Sequence, residues 1–406
     1  MKPLNEQLAV IRRGVEQIER LDELTKKLER SIATGKPLRV KFGIDPTSID
    51  VHLGHTVPLR KLRQFQQLGH QAVLIIGNYT ALVGDPSGRD QTRARLTQEQ
   101  VEINARDYLR QVSRIIDIEK TEVTHNGDWF SKFTFLDVLK LTSRITVQQM
   151  LAREDFANRV KAGTEIRLHE CMYPLMQGWD SVAIRADIEL GGTDQLFNMM
   201  VARDLQREEG QEPQVCITFP ILIGTDGERR MGKSLNNYIG VGESAKDQFG
   251  KTMRIPDGLM RLWLDLLTDR TPEEIARLTD PQQTSPRDAK EVVAKDIVRF
   301  YHGDEAAERA AQEFRDVFRG GKDPDEIPDV AIEAAKLSDG KMAIAQLLLE
   351  TGLAKSKSEG RRAVEGGGVT IGPDKEKVTD PAGAVAVSDG LIVRVGKRSI
   401  VRIRLR

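Results

Sequence analysis

Between Leu38 and Ile44 the chain alternates: Leu38, Val40, Phe42 and Ile44 are interleaved with Arg39, Lys41 and Gly43. Period 2 predicts a strand with one packed face and one face turned toward something else. Asp45-Pro46-Thr47 then breaks the strand, and Leu59, Leu62, Phe65 and Leu68 fall at helical spacing up to a stop at Gly69. The apolar run QAVLIIG follows as a second strand. Strand, loop, helix and strand with short connections predict a parallel, right-handed crossover and an open sheet covered by helices, with ligands at the strands' carboxyl ends. Upstream, Leu8, Ile11, Val15, Ile18 and Leu21 or Leu24 predict one amphipathic helix over residues 1 to about 33. Downstream, LTQEQVEINARDYLRQVSRIID reads as a helix, residues 128 to 170 as a helical insertion, and ADIEL and QVCITFPILIG as further strands. Thr271-Pro272-Glu273-Glu274 and Ser285-Pro286 start helices in a later helical region. The Gly-, Pro- and acid-rich stretch 320 to 329 marks a boundary, after which helices and the segment LIVRVGKRSIVRIRLR predict a small domain.

Charge changes this picture only at one end. The 406 residues carry 61 basic and 61 acidic side chains, so no global charge advertises a polyanionic partner. From Ala354 to Arg406, however, 12 Lys or Arg stand against 6 Asp or Glu. Arg394, Lys397, Arg398, Arg402 and Arg404 alternate with Val and Ile as one basic side of a small sheet, fit for RNA phosphates or simply for a soluble edge. The two cysteines, Cys171 and Cys216, form no CxxC, the N-terminal stretch has no cleavable apolar core, and no run approaches membrane length. A cytoplasmic protein is expected.

The candidate chemistry sits at the predicted strand ends. His52-Leu53-Gly54-His55 leads into a helix N-terminus, where unpaired N–H groups and the helix dipole favour an anion. A turn with incidental histidines, or a metal pair, is the alternative. Asp85-Pro86-Ser87-Gly88 is either a plain type I turn or a loop presenting Asp85, Arg89 and Arg93 at the same edge. Tyr173, Gln177 and Asp180 share one helical face, which suits a ligand or water. Gly191-Gly192-Thr193-Asp194-Gln195 permits close backbone approach, with Asp194 free to accept from a ribose hydroxyl or an amine. Arg229, Arg230, Lys233 and Ser234 read as a phosphate clamp or as a surface charge cluster.

Together HLGH and RMGKS resemble the HIGH and KMSKS signatures of class I aminoacyl-tRNA synthetases, and FGIDPT, GDPSG, YPLMQGWD and GGTDQ resemble the bacterial tyrosyl branch of that family over nearly the whole chain. The resemblance implies a Rossmann-like, doubly wound parallel α/β sheet, then an α-helical domain and a small α+β RNA-binding domain. The expected boundaries are a catalytic domain over 1–235 with a dimerisation region near 110–170, an anticodon-type helical domain over 236–320, a linker over 321–340, and a ribosomal-protein-type domain over 341–406. It implies activation of L-tyrosine by ATP with Mg²⁺ on the phosphates, transfer to tRNA(Tyr), a homodimer, and no structural metal. By resemblance His52, with Thr47, takes the α- and γ-phosphate region and His55, with Gly54, the nucleotide; Arg230, Lys233, Ser234, Arg89 and Arg93 take the departing pyrophosphate; and Asp45, Gly54, Gly192, Asp194 and Lys233 take ATP. Lys41, Gly43, Thr80, Asp85, Tyr173, Gln177, Asp180 and Gln195 match the tyrosine pocket, with Asp180 on the phenolic hydroxyl, and Lys355, Arg361, Arg362 and Arg398 match the RNA-binding surface. Two positions depart from the pattern. Lys41 stands where the best-known members carry a tyrosine and is expected to donate to the phenolic oxygen or to pair with Asp180. Arg230 replaces the first lysine of KMSKS, keeping charge and adding a fork for phosphate. The competing readings are a tryptophanyl synthetase, a small HxGH adenylyltransferase and a non-catalytic RNA-binding paralogue. Asp180 argues against an indole pocket, the chain's length against the small enzyme, and the retained charges in both signatures against the paralogue.

Overall fold

The alternating segment at 39–44 becomes the middle of a sheet. In the computed structural model, which describes residues 1–46, 51–87, 97–318, 327–396 and 399–406, the first sheet comprises β1 (Gln17–Glu19), β2 (Arg39–Ile44), β3 (Gln71–Ile76), β4 (Thr121–His125), β5 (Ile188–Gly192) and β6 (Val215–Phe219). Their order is β1-β6-β5-β2-β3-β4. All neighbours are parallel except β1, which runs antiparallel to β6. The chain winds outward from β2 through β3 to β4, then returns to β2's other side for β5 and β6. The reversal between β2 and β5 is a topological switch point, where adjacent connections leave in opposite directions and open a crevice. The helix Leu53–Gln67 buries Leu59, Leu62 and Phe65 against this sheet.

Two expectations are corrected. The N-terminal stretch is two helices, Leu4–Arg12 and Leu21–Thr34, not one. Gly14 at φ 63° turns the chain out of helical geometry, and Gln17–Glu19 pairs with β6 instead. The expected insertion near 110–170 also begins too early, because β4 lies inside that stretch as an edge strand of the sheet. The inserted part is the run of short helices that starts at Gly127–Phe130 and contains Phe135–Thr142, Val147–Leu151 and Glu154–Ala162. Thr134 and Thr146 cap two of these.

The helices after the second signature join the sheet's own core through Met260, Trp263, Leu264, Val293 and Ile297. Thr271 and Ser285 cap two of them, as their sequences predict. Two compact units result, Met1–Ala307 and Glu308–Arg406. Taken by itself, the second contains β7 (Asp329–Ile332), β8 (Lys341–Ala343), β9 (Val369–Ile371), β10 (Glu376–Lys377), β11 (Ala384–Ala386), β12 (Ile392–Val395) and β13 (Ser399–Leu405). Five form a sheet in the order β10-β9-β12-β13-β7, so part of the expected linker is a strand.

The basic side expected of this sheet is largely neutralised. Arg394 is buried and donates to the Gly372 carbonyl (2.6 Å), while Arg404 pairs with Asp329 (3.1 Å) and Asp389 (3.6 Å). Lys355, Arg361 and Arg362, at and on the helix Lys357–Glu365, are among the exposed cations of the unit. Lys397 and Arg398 lie outside the described residues.

Candidate active site

At the switch point the carboxyl ends of β2 and β5 border a cavity. Lys41, Gly43, Asp45, Thr80, Tyr173, Gln177, Asp180 and Gln195 all line it, although they come from four separate stretches of chain. The spacing Tyr173, Gln177, Asp180 works as expected because the helix Tyr173–Ile184 lays that face along the crevice.

Asp180 is 4% exposed and is held by two donors, Trp129 Nε1 to Oδ1 (3.0 Å) and Asn126 Nδ2 to Oδ2 (3.3 Å). Burial pushes its carboxyl up to about 7, opposed by the nearby charge of Lys41 and by those two donors. Asn126 also donates to Thr80 Oγ1 (3.0 Å), which donates to Asp45 Oδ1 (2.7 Å); Tyr173 donates its hydroxyl to Asp45 Oδ2 (2.9 Å). Asp45, expected beside ATP, turns its carboxylate into the switch-point cavity. Burial, then Asp45's charge, keeps the Tyr173 phenol well above its ordinary range, so it remains a donor. Gly77, which the sequence did not single out, makes the Asp45–Thr80 contact possible: a Cβ there would collide with Asp45 Oδ1 and Thr80 Oγ1.

Asp85 joins the same wall through Gln195 Nε2 (3.2 Å), and Arg153 braces it from the inserted helices, 3.9 Å from Asp85 and hydrogen-bonded to Ser87 Oγ (2.5 Å) and Asn198 Oδ1 (3.0 Å). The pairing of Lys41 with Asp180, one of the two expectations made for it, is not found. Its ammonium pairs with Glu189 Oε1 (2.9 Å), not with Asp180, and donates to Gln177 O (2.8 Å) and Ser181 Oγ (2.7 Å).

The histidines stand at the start of the helix Leu53–Gln67, their rings stacked 3.8 Å apart at 21°. The His52 N–H donates to His55 Nδ1 (3.3 Å), so a neutral His55 carries its proton on Nε2. His52 is depressed to about 3 by burial and by its neighbour, and its Nδ1 is buried without a partner. An anion's oxygens or their bound water suit such a pair. Gly54 lets the His52 ring fold back, since a Cβ would stand 3.1 Å from it and 3.7 Å from Met231 Cβ.

Met231 belongs to the second signature, which is a hairpin. Ile223 bridges Arg230, Asn237 accepts from Gly232 N (2.9 Å) and donates to Asp226 (2.9 Å), and Trp263 Nε1 ties the base to Ile223 O (3.2 Å). Arg229 is committed to Asp226 (3.0 Å) and so braces the loop, leaving Arg230, Lys233 and Ser234 exposed on it. Leu53 N–H donates to Ile239 O (3.0 Å), fastening the two signatures together. Gly192 and Asp194 end β5, and Arg230 is near enough for its charge to act on Asp194. Thr47, Arg89 and Arg93 lie outside the described residues.

Asn126, Trp129, Glu189, Asn198, Arg153 and Asn237 were not anticipated. All but Trp129 and Glu189 are polar residues buried in stretches read as loops or surface helices, and no local pattern distinguishes them.

Three comparisons with known proteins bear on the chain as a whole. The family model described as tRNA synthetases class I (W and Y) matches residues 33–319. The chain is 48% identical over 400 residues to the tyrosine–tRNA ligase of Moorella thermoacetica, covering 98% of this chain and 95% of that one. It is 48% identical over 404 residues to that of Carboxydothermus hydrogenoformans, covering 98% of each. The crystal structure of a C-terminally truncated Aspergillus nidulans mitochondrial tyrosyl-tRNA synthetase superposes with a TM-score of 0.64 at 23% identity, over 78% of this chain and 95% of that one, a likeness of fold.

Proposed function

Since the chain belongs to the class I tRNA synthetases of the tryptophan and tyrosine group, we infer that it is a tyrosine–tRNA ligase. It joins L-tyrosine to ATP, giving tyrosyl-adenylate and pyrophosphate, and passes the tyrosyl group to the 3′ end of tRNA(Tyr). The observation that carries this reading is Asp180, a buried carboxylate oriented by Asn126 and Trp129 in the wall of the switch-point cavity. A pocket with such an acceptor suits a phenolic hydroxyl. It rejects phenylalanine, which leaves the acceptor unpaired; tyrosine-activating enzymes are the known instance of this effect.

The tyrosine carboxylate attacks the α-phosphorus, forming one P–O bond as the bond to the pyrophosphate oxygen breaks. The nucleophile is already ionised, so no base is needed, and catalysis rests on position and charge. Asp85, Tyr173, Gln177 and Gln195, with Thr80, hold the amino group. His52, with Thr47, meets the phosphates and His55 the nucleotide beside Gly54, Asp194 meets the ribose past Gly192, and Arg230, Lys233 and Ser234 stabilise the leaving pyrophosphate, as do Arg89 and Arg93. The groups facing the phosphates are imidazoles and cations, so Mg²⁺ arrives on the phosphate oxygens and adds charge neutralisation.

Six large apolar side chains support a homodimer through the inserted helices: Phe135, Leu136, Leu139, Val147, Val160 and Leu168 are 50–85% exposed. Exposed Lys355, Arg361 and Arg362 support tRNA contact by the C-terminal unit. Free Cys171 and Cys216 suit the cytoplasm, and no helix among the described residues is long and apolar enough to cross a membrane.

The test is ATP–pyrophosphate exchange with tyrosine, phenylalanine and tryptophan side by side, followed by charging of tRNA(Tyr). Exchange with tyrosine alone is expected. Exchange driven by tryptophan would overturn the specificity, and none at all would overturn the activity.

A further inference from the structure

Resting on the ligase reading above, we propose that Lys41 and Glu189 form one positioning unit beneath the amino-acid cavity, which fixes Gln177 for the substrate and leaves recognition of the phenolic end to Asp180. The sheet itself creates the unit: in the parallel register of β2 and β5, Lys41 lies directly opposite Glu189. Their side chains are 0% and 1% exposed. An ammonium has three N–H donors. Those of Lys41 meet Glu189 Oε1 (2.9 Å), Gln177 O (2.8 Å) and Ser181 Oγ (2.7 Å), so none remains for a substrate hydroxyl.

Glu189 is filled in the same way. Oε1 also accepts from Gln177 Nε2 (3.0 Å), and Oε2 accepts from Ser181 Oγ (3.3 Å) and from Gln214 Nε2. Gln177 is consequently gripped at its backbone carbonyl by Lys41 and at its amide nitrogen by Glu189. Asn198 Nδ2 donates to its amide oxygen (2.8 Å), which admits only one orientation of the amide. Removing either charge leaves the other buried and uncompensated, and the disturbance passes to Gln177. Removing both leaves no lone charge.

The experiment is tyrosine-dependent pyrophosphate exchange on the full chain with Lys41→Met, Glu189→Gln, their double, Gln177→Ala, and Gln177→Ala combined with the double. Each charge-removing single variant is expected to raise the tyrosine KM about thirtyfold or more with ATP KM within about twofold, and the charge-neutral double, which loses the grip on Gln177 but buries no lone charge, about tenfold. In the Gln177→Ala background, removing the pair adds less than about threefold, because the unit acts through that residue. The double leaves both donors to Asp180, Asn126 and Trp129, in place, so its preference for tyrosine over phenylalanine stays within about threefold of wild type. Additive losses, a full further loss in the Gln177→Ala background, or ATP KM rising with tyrosine KM would overturn the proposal. So would lost phenylalanine rejection in the double, which would place Lys41 at the hydroxyl. Gln177→Ala keeps the ion pair, and the combined variant buries no lone charge, so that comparison decides even where a single variant fails to fold. Wild-type protein without tyrosine-dependent exchange removes the ligase reading first, and the proposal with it.

Discussion

Asp180 is the residue whose environment is most demanding. Its carboxyl is pushed by burial from its ordinary 3.8 up to about 7, so the folded state binds a proton that the unfolded chain has released. Its contribution to stability is therefore fully present below about 4 and is lost as pH rises through about 7. Activity runs the other way, because the ionised form is the better acceptor for a phenol. The expected outcome is that the tyrosine KM falls as pH rises from 6 to 8 and then levels, on the order of tenfold per unit at the steepest, and that Asp180→Asn abolishes this limb. In the same variant, preference for tyrosine over phenylalanine falls by about 10² or more, since an amide presents one donor to a site built from donors. Pyrophosphate exchange across pH with both amino acids checks both outcomes; a pH limb that survives in the variant would assign it to another group.

At the scale of elements, β2 and the turn after β3 use two glycines in opposite ways. A Cβ on Gly43 meets nothing within 4 Å and would project into open space, whereas one on Gly77 collides with the Asp45–Thr80 pair. Gly43→Ala should leave the melting temperature unchanged or slightly raised, through reduced freedom of the unfolded chain, yet raise the tyrosine KM at least about tenfold by occupying ligand space. Gly77→Ala should instead destabilise by about 1–3 kcal/mol as the pair is forced apart. Thermal melts and exchange kinetics on the two variants separate these effects, and equal destabilisation by both would refute the assignment of Gly43 to the cavity wall. The strand alternation at 38–44 and the face shared by Tyr173, Gln177 and Asp180 were legible because each depends on local periodicity. The split of the N-terminal helix was less so: the stop at Gly14 is local, but the pull of β6 on Gln17–Glu19 is a pairing about 200 residues distant in sequence.

For the whole molecule, the roles proposed for the inserted helices and for the C-terminal unit can be tested separately. Leu139→Glu places a charge in the exposed apolar patch and should convert a dimer to monomer in sedimentation, with the melt of the chain otherwise retained; an unchanged sedimentation coefficient would move the interface elsewhere. Lys355→Glu, Arg361→Glu and Arg362→Glu together should leave exchange untouched while weakening tRNA binding and reducing the salt slope by roughly 2–3; equal loss of exchange would show that these residues serve the fold. The sequence alone determined the parallel crossover from β2 to β3, the placement of HLGH past the end of β2 and the face shared by Tyr173, Gln177 and Asp180, because these follow from local spacing and short motifs. Only the tertiary structure decided that Lys41 answers Glu189, that Trp129 and Asn126 aim Asp180, and that Arg394 and Arg404 are spent on internal partners. A charged side chain's partner is fixed by strand register and by which elements pack together, and neither is encoded in the residues on either side of it.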